Sequence, residues 1–264
     1  MLSNEKDIFK IRKQSKINFL ILFVLFYGLS ALISGFQNGI AFLSIPNGII
    51  WLFKNFVPTA SALKYFPKIM NTMLESVMIG ITATVISAIF AIFLAIIGSE
   101  TTGINKFSKI IIKVIASMFR NTPIVAWSIL LLFSFKQSKM TGLIALIVIL
   151  FGYMIRTFME TIDEVGANVR EALEVTGANY FQIIFQGIIP SVSGQLVSWV
   201  LYYIENSIRE MTLIGMLTGT GIGFLFNMYY RDFKYDVVGL IILIVVIFVI
   251  GIELVSNKIR KELL

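Results

Sequence analysis

Long runs of apolar residues restrict what this chain can fold into more than any other feature. A helix needs about 20 mostly apolar residues to cross the hydrocarbon core of a bilayer. Six stretches reach or approach that length: residues 17–35, 69–98, 116–135, 142–158, 184–204 and 237–255. Hydrophobic residues make up 57% of the chain and charged residues 14%, too few to cover a soluble domain of 264 residues. The sequence therefore predicts an all-α integral membrane protein with about six transmembrane helices.

The residue types exclude several kinds of chemistry. The chain contains no Cys and no His, which excludes disulfides, thiolate or imidazole metal sites and histidine acid–base catalysis. No cluster of reactive groups stands out, so we expect a transport protein rather than a membrane enzyme, with no metal. The net charge of +7 could indicate nucleic-acid binding, but the basic residues flank the apolar runs. Because that placement is typical of membrane topology, we expect contact with lipid and no nucleic-acid partner.

The distribution of Lys and Arg predicts the orientation. With the N-terminus in the cytoplasm, 13 of the 22 basic residues fall on that side, eight fall outside, including Arg209, and Arg120 lies within a span. The opposite orientation reverses this bias, so both termini are predicted to be cytoplasmic. Residues 1–16 then form a basic cytoplasmic N-terminus, and residues 17–35 the first transmembrane helix. That apolar run is too long for a signal peptide, so we expect an uncleaved anchor in the cytoplasmic membrane.

Residues 36–68, between the first two spans, differ from the apolar runs. They contain Pro46, Pro58 and Pro67 together with Trp51 and Tyr65. The prolines break this segment too often for a spanning helix, and aromatic residues favour the headgroup level of a bilayer. We therefore expect an outer interfacial segment.

Residues 106–119 carry Lys106, Lys109 and Lys113 at spacings of three and four. These charges share one helical face, as in a helix on the cytoplasmic surface. Pro123 disfavours helical geometry at the residue before it and should break the third span. Arg120 and Asn121 lie beside that break. Arg120 either faces a cavity or a partner, or continues the basic face and extends to the headgroups.

The loop between spans four and five is polar and carries helix-ending and helix-starting signals. Gly177 suits the left-handed position that ends a helix. Asn179 can cap a second helix, and Gln182, three residues on, completes a pattern like a capping box. The sequence therefore predicts two short helices joined at a glycine, forming a knob beneath the membrane.

This loop resembles the EAA loop of binding-protein-dependent ABC importer permeases. The matching stretches are EALEVTG at residues 171–177 and IIP at residues 188–190, with Leu173 and Ile189 departing from the pattern. The positions that match are Glu171, Ala172, Gly177, Ile188 and Pro190. The resemblance implies the type I ABC importer permease (MetI-like) fold, with residues 69–264 as the permease core and the coupling loop at about residues 160–190.

The resemblance also implies partners. A separate ABC ATPase subunit, which binds ATP and Mg²⁺, would dock on the EAA loop, so no cofactor is expected on this chain. A second permease copy would complete the pore as a homodimer, and an extracytoplasmic binding protein would deliver the substrate.

Further stretches are similar to the permeases of phosphonate importers: RNTPIVAW at 120–127, ETIDEVGANVREALEVTGA at 160–178 and YYIENSIREMTLIGMLTGTGIGF at 202–224. In the last motif Arg209, Thr212, Gly215, Gly221, Ile222 and Gly223 match, whereas Thr218, Gly219 and Thr220 depart. This similarity implies import of a small oxyanion such as phosphonate by alternating access. The alternatives are another small solute, such as an amino acid or phosphate, or an ion-coupled secondary transporter. For the latter we find only Glu75 and Glu253 within the spans.

The candidate substrate pathway or gate contains charged, polar and glycine residues. They are Arg120, Asn121, Pro123, Glu205, Asn206, Arg209, Gly215, Gly219, Gly221 and Gly223. Glu205 and Arg209 can form an i,i+4 ion pair, or Arg209 can present its planar fork to an oxyanion. The glycine run, which lacks the flanking strand of a dinucleotide site, is either a gate or a tight connection. The stretch GSETTG at 98–103 lacks the lysine of a phosphate-binding loop, since Ile104 follows it, so ATP hydrolysis is not expected here.

Overall fold

The computed structural model describes residues 2–263, and the side chains of residues 12–262. Met1, Leu264 and the Lys6 and Lys10 side chains of the predicted basic N-terminus lie outside this part. The helices are α1 (Leu2–Ser34), α2 (Asn38–Phe56), α3 (Phe66–Gly98), α4 (Lys106–Asn121), α5 (Ile124–Phe135), α6 (Lys139–Val175), α7 (Tyr180–Thr218), α8 (Gly221–Arg231) and α9 (Tyr235–Leu263). A short 3₁₀ helix, Ala62–Tyr65, precedes α3, and the described residues contain no strand.

The chain divides into two compact units, Met1–Asn55 and Phe56–Leu264. In the first unit α1 begins at Leu2, so the predicted basic segment and the first span form one helix. Gly35, with φ +66°, ends that helix, and the Tyr27 hydroxyl donates to Asn38 at the start of α2. The expectation that prolines break residues 36–68 is wrong for Pro46, which lies inside α2. An internal proline removes one hydrogen bond of the helix, and the turns on either side can still form.

The second unit is built around α3, α6 and α7. One buried cluster joins these helices to α4 and includes Leu146, Met154 and Phe158. A second cluster joins α3 and α7 to α8 and α9 and includes Met73 and Val238. Five helices are long and apolar enough to cross a membrane, or up to six if the bent pair α4–α5 counts as one span. The prediction of an all-α chain with about six spans is therefore confirmed.

The helices α4 and α5 meet at a bend of 90°. Thr122 has extended backbone angles (φ −83°, ψ 124°), and Pro123 follows it. The predicted break at Pro123 is confirmed, because the proline ring excludes helical geometry at the preceding residue. The predicted third span, residues 116–135, therefore begins inside α4, to which Ala116 belongs, and continues after the bend as α5. Within α4, Ala116 is buried together with Ile112.

Candidate functional site: the α6–α7 junction and the polar face of α7

The predicted EAA loop is the junction between two long helices. The helix α6 continues without interruption to Val175, and α7 begins at Tyr180. The prediction of two short helices in this loop is therefore wrong. Residues 159–175 contain no proline, and nothing in them ends the helix that the fourth span begins.

Gly177 forms the turn itself, as the sequence predicts. Its φ is +81°, the left-handed region. Its N–H donates to the Glu174 carbonyl (3.1 Å), and the Ala178 N–H donates to the Leu173 carbonyl (3.2 Å). These two bonds form a Schellman motif, which satisfies the last carbonyls of α6.

The predicted cap of the second helix is also confirmed. The Asn179 side chain accepts from the Gln182 N–H (3.0 Å), and the Gln182 side chain accepts from the Asn179 N–H (2.9 Å). This reciprocal pair is a capping box. Both ends of the junction are thus fixed by local hydrogen bonds.

Ile188 and Pro190, the last two motif positions, shape the start of α7 and its packing on α6. Pro190 cannot donate a backbone hydrogen bond, and residues Ile183–Ile188 before it form a π-helical segment of α7. Ile188 is buried, and its side chain packs on Gly166 of α6, where an added Cβ would lie 3.1 Å from Ile188 Cγ2. Leu173, which departs from the EAA pattern, fits because residue 187 is a glycine. A Cβ at Gly187 would collide with the Leu173 side chain.

The surface of the junction is apolar at its tip and acidic beside it. Val175, Phe181 and Phe185 are 86%, 69% and 61% exposed. Glu171 and Ala172, the first two motif positions, are exposed on the last turns of α6. Large apolar side chains exposed together are typical of a surface that binds another protein or the membrane.

The second feature is a polar stripe on α7, which we define as Tyr202, Asn206 and Arg209. Spacings of four and three residues place them on one helical face. The Arg209 side chain is 48% exposed. It donates to the Asn206 side-chain oxygen (3.1 Å) and to Glu205.

Arg209 lies in a helix that extends beyond the predicted fifth span, residues 184–204. The helix α7 continues past it to Thr218, and Gly219 takes the left-handed position after the helix. The nine residues from Arg209 to Thr218 correspond to about 14 Å of helix, at 1.5 Å per residue. Nothing between these positions ends a helix, but at 39 residues α7 is longer than a bilayer requires, so the location of Arg209 relative to the membrane stays a prediction.

Glu205 has a further partner that sequence reasoning missed. Its side chain is only 9% exposed and accepts from Arg209 and from Arg260 Nη2 of α9 (3.4 Å). The predicted i,i+4 pair is confirmed, but it belongs to a group of three. Glu205 and Arg260 are 55 residues apart in the sequence, so no spacing signal could have found their contact.

The predicted residues near Pro123 lie apart from this group. Arg120 and Asn121 are exposed at the end of α4, beside the bend. The chain approaches α6 closely here, since a Cβ at Gly152 would lie 2.8 Å from the Arg120 backbone nitrogen. Tyr153 of α6 is within electrostatic range of both Arg120 and Glu210 of α7. One Glu210 carboxylate oxygen is buried without a hydrogen-bond partner, and sequence reasoning missed this residue.

The glycine-rich motif forms the break between α7 and α8. Gly219 and Gly221 have φ of +72° and +61°. A Cβ at Gly215 would collide with the Thr220 carbonyl, and one at Gly223 with the Thr212 carbonyl. These glycines let α8 fold back directly against α7. The motif is therefore a tight connection in this conformation, and its role as a gate stays a prediction.

The break also borders a cavity of about 340 Å³ that α3 and α6 complete. Glu75 and Lys139 line it and form an ion pair at 2.9 Å. Glu75 is one of the two carboxylates within the spans that an ion-coupled transporter could use. Its pairing with a lysine disfavours that role, because a coupling carboxylate must be able to accept the transported ion. No group of three or more metal-ligating side chains occurs among the residues that the structure describes.

These elements define a multi-pass helical membrane protein with an exposed helix junction and a polar stripe on a central helix. The chain belongs to the family described as binding-protein-dependent transport system inner membrane component, whose profile matches residues 87–261. The predicted resemblance to ABC importer permeases is confirmed by this match.

Two relatives and one solved structure are similar to this chain. The phosphate-import permease protein PhnE of Mycolicibacterium smegmatis is 23% identical over 190 residues, 72% of this chain and 36% of that protein. The phosphite transport system permease protein PtxC of Stutzerimonas stutzeri is 24% identical over 190 residues, 72% of this chain and 69% of that protein. The chain thus spans only about a third of the length of the first relative. The inward-facing MetNI methionine ABC transporter matches with a TM-score of 0.67 and 14% identity, over 78% of this chain and 99% of that one. It confirms the MetI-like fold.

Proposed function

We propose that this chain is the membrane-spanning subunit of an ABC importer and that its substrate is a small oxyanion such as phosphonate. The observation that carries the proposal is the half-exposed Arg209 guanidinium on α7, a helix that is long enough to cross a membrane. We infer that this part of α7 lies within the membrane. Exposing a charged side chain to lipid at the bilayer centre would cost roughly 3 kcal/mol or more, so the α7 stripe faces a water-filled path or a partner. The names of the two relatives, which refer to phosphate and phosphite, support an oxyanion in that path.

Arg209 can bind an anion even though it touches Glu205. The Glu205 carboxylate is shared with Arg260, so the three side chains carry a net positive charge. A guanidinium also has five N–H donors in a planar fork that matches oxyanions, and only some of them are used by Asn206 and Glu205. The group can therefore accept an oxyanion on its exposed side.

The α6–α7 junction is proposed to dock on an ATPase subunit. Its exposed Val175, Phe181 and Phe185 supply apolar surface, and its turn is held rigid by the Gly177 motif and the Asn179 capping box. ATP and Mg²⁺ would be bound by that ATPase and not by this chain. ATP binding can drive alternating access only if it favours one conformation of the complex over another.

We also propose that both termini are cytoplasmic. The α6–α7 junction then lies on the side of the membrane where ATP is available. A second copy of the chain completes the pore, and an extracytoplasmic binding protein delivers the substrate. Residues 36–68 lie at the outer interface.

The test is reconstitution of the full permease with its ATPase and binding protein in liposomes. Accumulation of labelled phosphonate, phosphite, phosphate and an amino acid is measured with and without ATP. We expect ATP-dependent accumulation of at least one oxyanion. Uptake of the amino acid alone would overturn the substrate class, and uptake driven by an ion gradient without ATP would overturn the importer itself.

A further inference from the structure

A short loop between α3 and α4 makes more hydrogen bonds than a simple connection requires. We call residues 99–103, with the sequence SETTG, the brace loop. Ser99 Oγ accepts from the backbone N–H groups of Thr101 (3.0 Å) and Thr102 (3.2 Å). The Gly103 N–H donates to the Ser99 carbonyl (3.0 Å), and Thr102 Oγ1 donates to the Ile96 carbonyl (2.5 Å). Ser99, Thr101 and Thr102 are buried, so the loop is a fixed part of the fold.

The brace loop is bonded to α6 at two places. Asp163 Oδ1 accepts from Ser99 Oγ (2.5 Å) and from the Thr101 N–H (2.8 Å). Seven residues further along α6, Arg170 donates to the Thr101 carbonyl. Seven residues are about two helical turns, so both side chains lie on one face of α6. The last turns of α6 before the α6–α7 junction are thus attached to the loop.

The loop also holds the other side of the junction. The Tyr180 hydroxyl, on the first residue of α7, donates to the Thr102 carbonyl (2.7 Å). Gly177 lies between Arg170 and Tyr180. The helix that enters the junction and the helix that leaves it are therefore bonded to adjacent carbonyl groups of one loop.

A third set of contacts connects the loop to α4. Glu100 forms ion pairs with Lys109 (3.1 Å) and Lys113, and Lys109 also donates to the Glu100 carbonyl (2.9 Å). Hydrogen bonds from Lys113 and Lys109 hold the pKa of Glu100 below its usual value. The helix α4 then leads to Arg120 and to the bend at Pro123.

We propose that the brace loop transmits displacement of the α6–α7 junction to α4, and so to the bend beside Arg120. This proposal rests on the proposed function, since a docked ATPase is what would move the junction. The side chains of Asp163 and Tyr180 are the positioning residues, because each attaches one arm of the junction to the loop. Removing these bonds leaves the exposed tip, Val175, Phe181 and Phe185, available to the ATPase. The permease should then still bind the ATPase but convert its motion into transport less efficiently.

The experiment uses the complete importer in liposomes and measures substrate accumulated per ATP hydrolysed. The variants are Asp163→Ala, which removes the acceptor oxygen, Tyr180→Phe and their combination. Glu164→Ala, at an exposed carboxylate next to Asp163, and Tyr230→Phe, at an exposed hydroxyl on α8, are matched controls. We expect the combined variant to lower the ratio about fivefold or more, the lower end of measured couplings between sites. The controls should keep the wild-type ratio, and every variant should retain the ATPase on purification.

An unchanged ratio in assembled Asp163→Ala and Tyr180→Phe complexes would overturn the proposed role of the brace loop. Because Tyr180→Phe removes a single hydroxyl, it provides the test even if Asp163→Ala does not assemble. Loss of ATPase binding in both variants, with normal binding in the controls, would also overturn it, since the loop would then only shape the docking surface. Failure of the wild-type chain to bind an ATPase at all would instead contradict the proposed function.

Discussion

Arg260, near the end of α9, lies 3.4 Å from the carboxylate of Glu205 in the middle of α7. Glu205 therefore keeps a cationic partner even when Arg209 is removed. This relationship changes what mutations of the α7 stripe can show, because removing Arg209 alone does not leave Glu205 unpaired.

Substitution of Arg209 should affect transport according to charge and geometry. Arg209→Lys keeps the charge but loses the planar fork, and Arg209→Gln loses both. We expect uptake to fall in the order wild type, Lys, Gln, by about tenfold or more for Gln, as loss of a charge-assisted hydrogen bond of about 1.5–3 kcal/mol implies. Labelled oxyanion uptake in proteoliposomes measures this, with Arg231→Gln, an exposed arginine at the end of α8, as the control.

The double variant Glu205→Gln with Arg209→Gln separates binding from ion pairing. If Arg209 binds substrate, the double variant stays as inactive as Arg209→Gln alone. Recovery of most of the uptake in the double variant would show that Arg209 serves only to pair Glu205.

Removing both arginines that pair with Glu205 should reduce thermal stability by more than the sum of the two single removals. Either Arg209→Gln or Arg260→Gln leaves the buried carboxylate one partner, whereas the double variant leaves none. A buried charge without a partner typically costs about 3–5 kcal/mol, so the double variant should lose far more thermal stability than the sum of the two. Adding Glu205→Gln to it should restore part of the loss. Unfolding midpoints of the purified protein in detergent test this, and additive losses would contradict it.

Glycine should be required at position 177 because of its positive φ, and not because a side chain would lack space. No atom lies within 4 Å of an added Cβ, but φ is +81°. Gly177→Val should therefore cost about 1–2 kcal/mol at the junction, whereas Gly177→Asn should be tolerated, because Asn visits this region more readily. We expect Val, but not Asn, to reduce uptake while leaving the protein in the membrane. Equal uptake by both variants would exclude a coupling role for the turn.

Glycine should be required at position 223 because the structure leaves no space for a Cβ there. A Cβ there would collide with the Thr212 carbonyl, whereas Gly251 of α9 has no atom within 4 Å of an added Cβ. Gly223→Ala should destabilise the α7–α8 contact by about 1–3 kcal/mol or more, and Gly251→Ala should be neutral. Thermal unfolding of the two variants in the same detergent gives the comparison, and similar midpoints would contradict the close approach of α8.

Introduced cysteines should test the proposed orientation, since the chain contains none of its own. A reagent that cannot cross the membrane should label Lys234→Cys, in the α8–α9 turn, and miss Asn168→Cys near the end of α6. Both positions are exposed. Labelling of Asn168→Cys in sealed cells would place the α6–α7 junction outside and remove the argument for ATPase docking.

The sequence by itself determined the features that depend on neighbouring residues. Apolar length predicts the spans, Pro123 predicts the bend, and Gly177 with Asn179 and Gln182 predicts the turn and its cap, because each is set by backbone sterics or local hydrogen bonds. Only the tertiary structure decided which distant groups meet: Glu205 with Arg260, Asp163 with Ser99, and Tyr180 with Thr102. It also decided that α7 continues past Arg209 to Thr218, since packing against α3, α6 and α8 supports the helix beyond its charged turn. Such contacts depend on how whole helices pack, which the spacing of residues along the chain does not show.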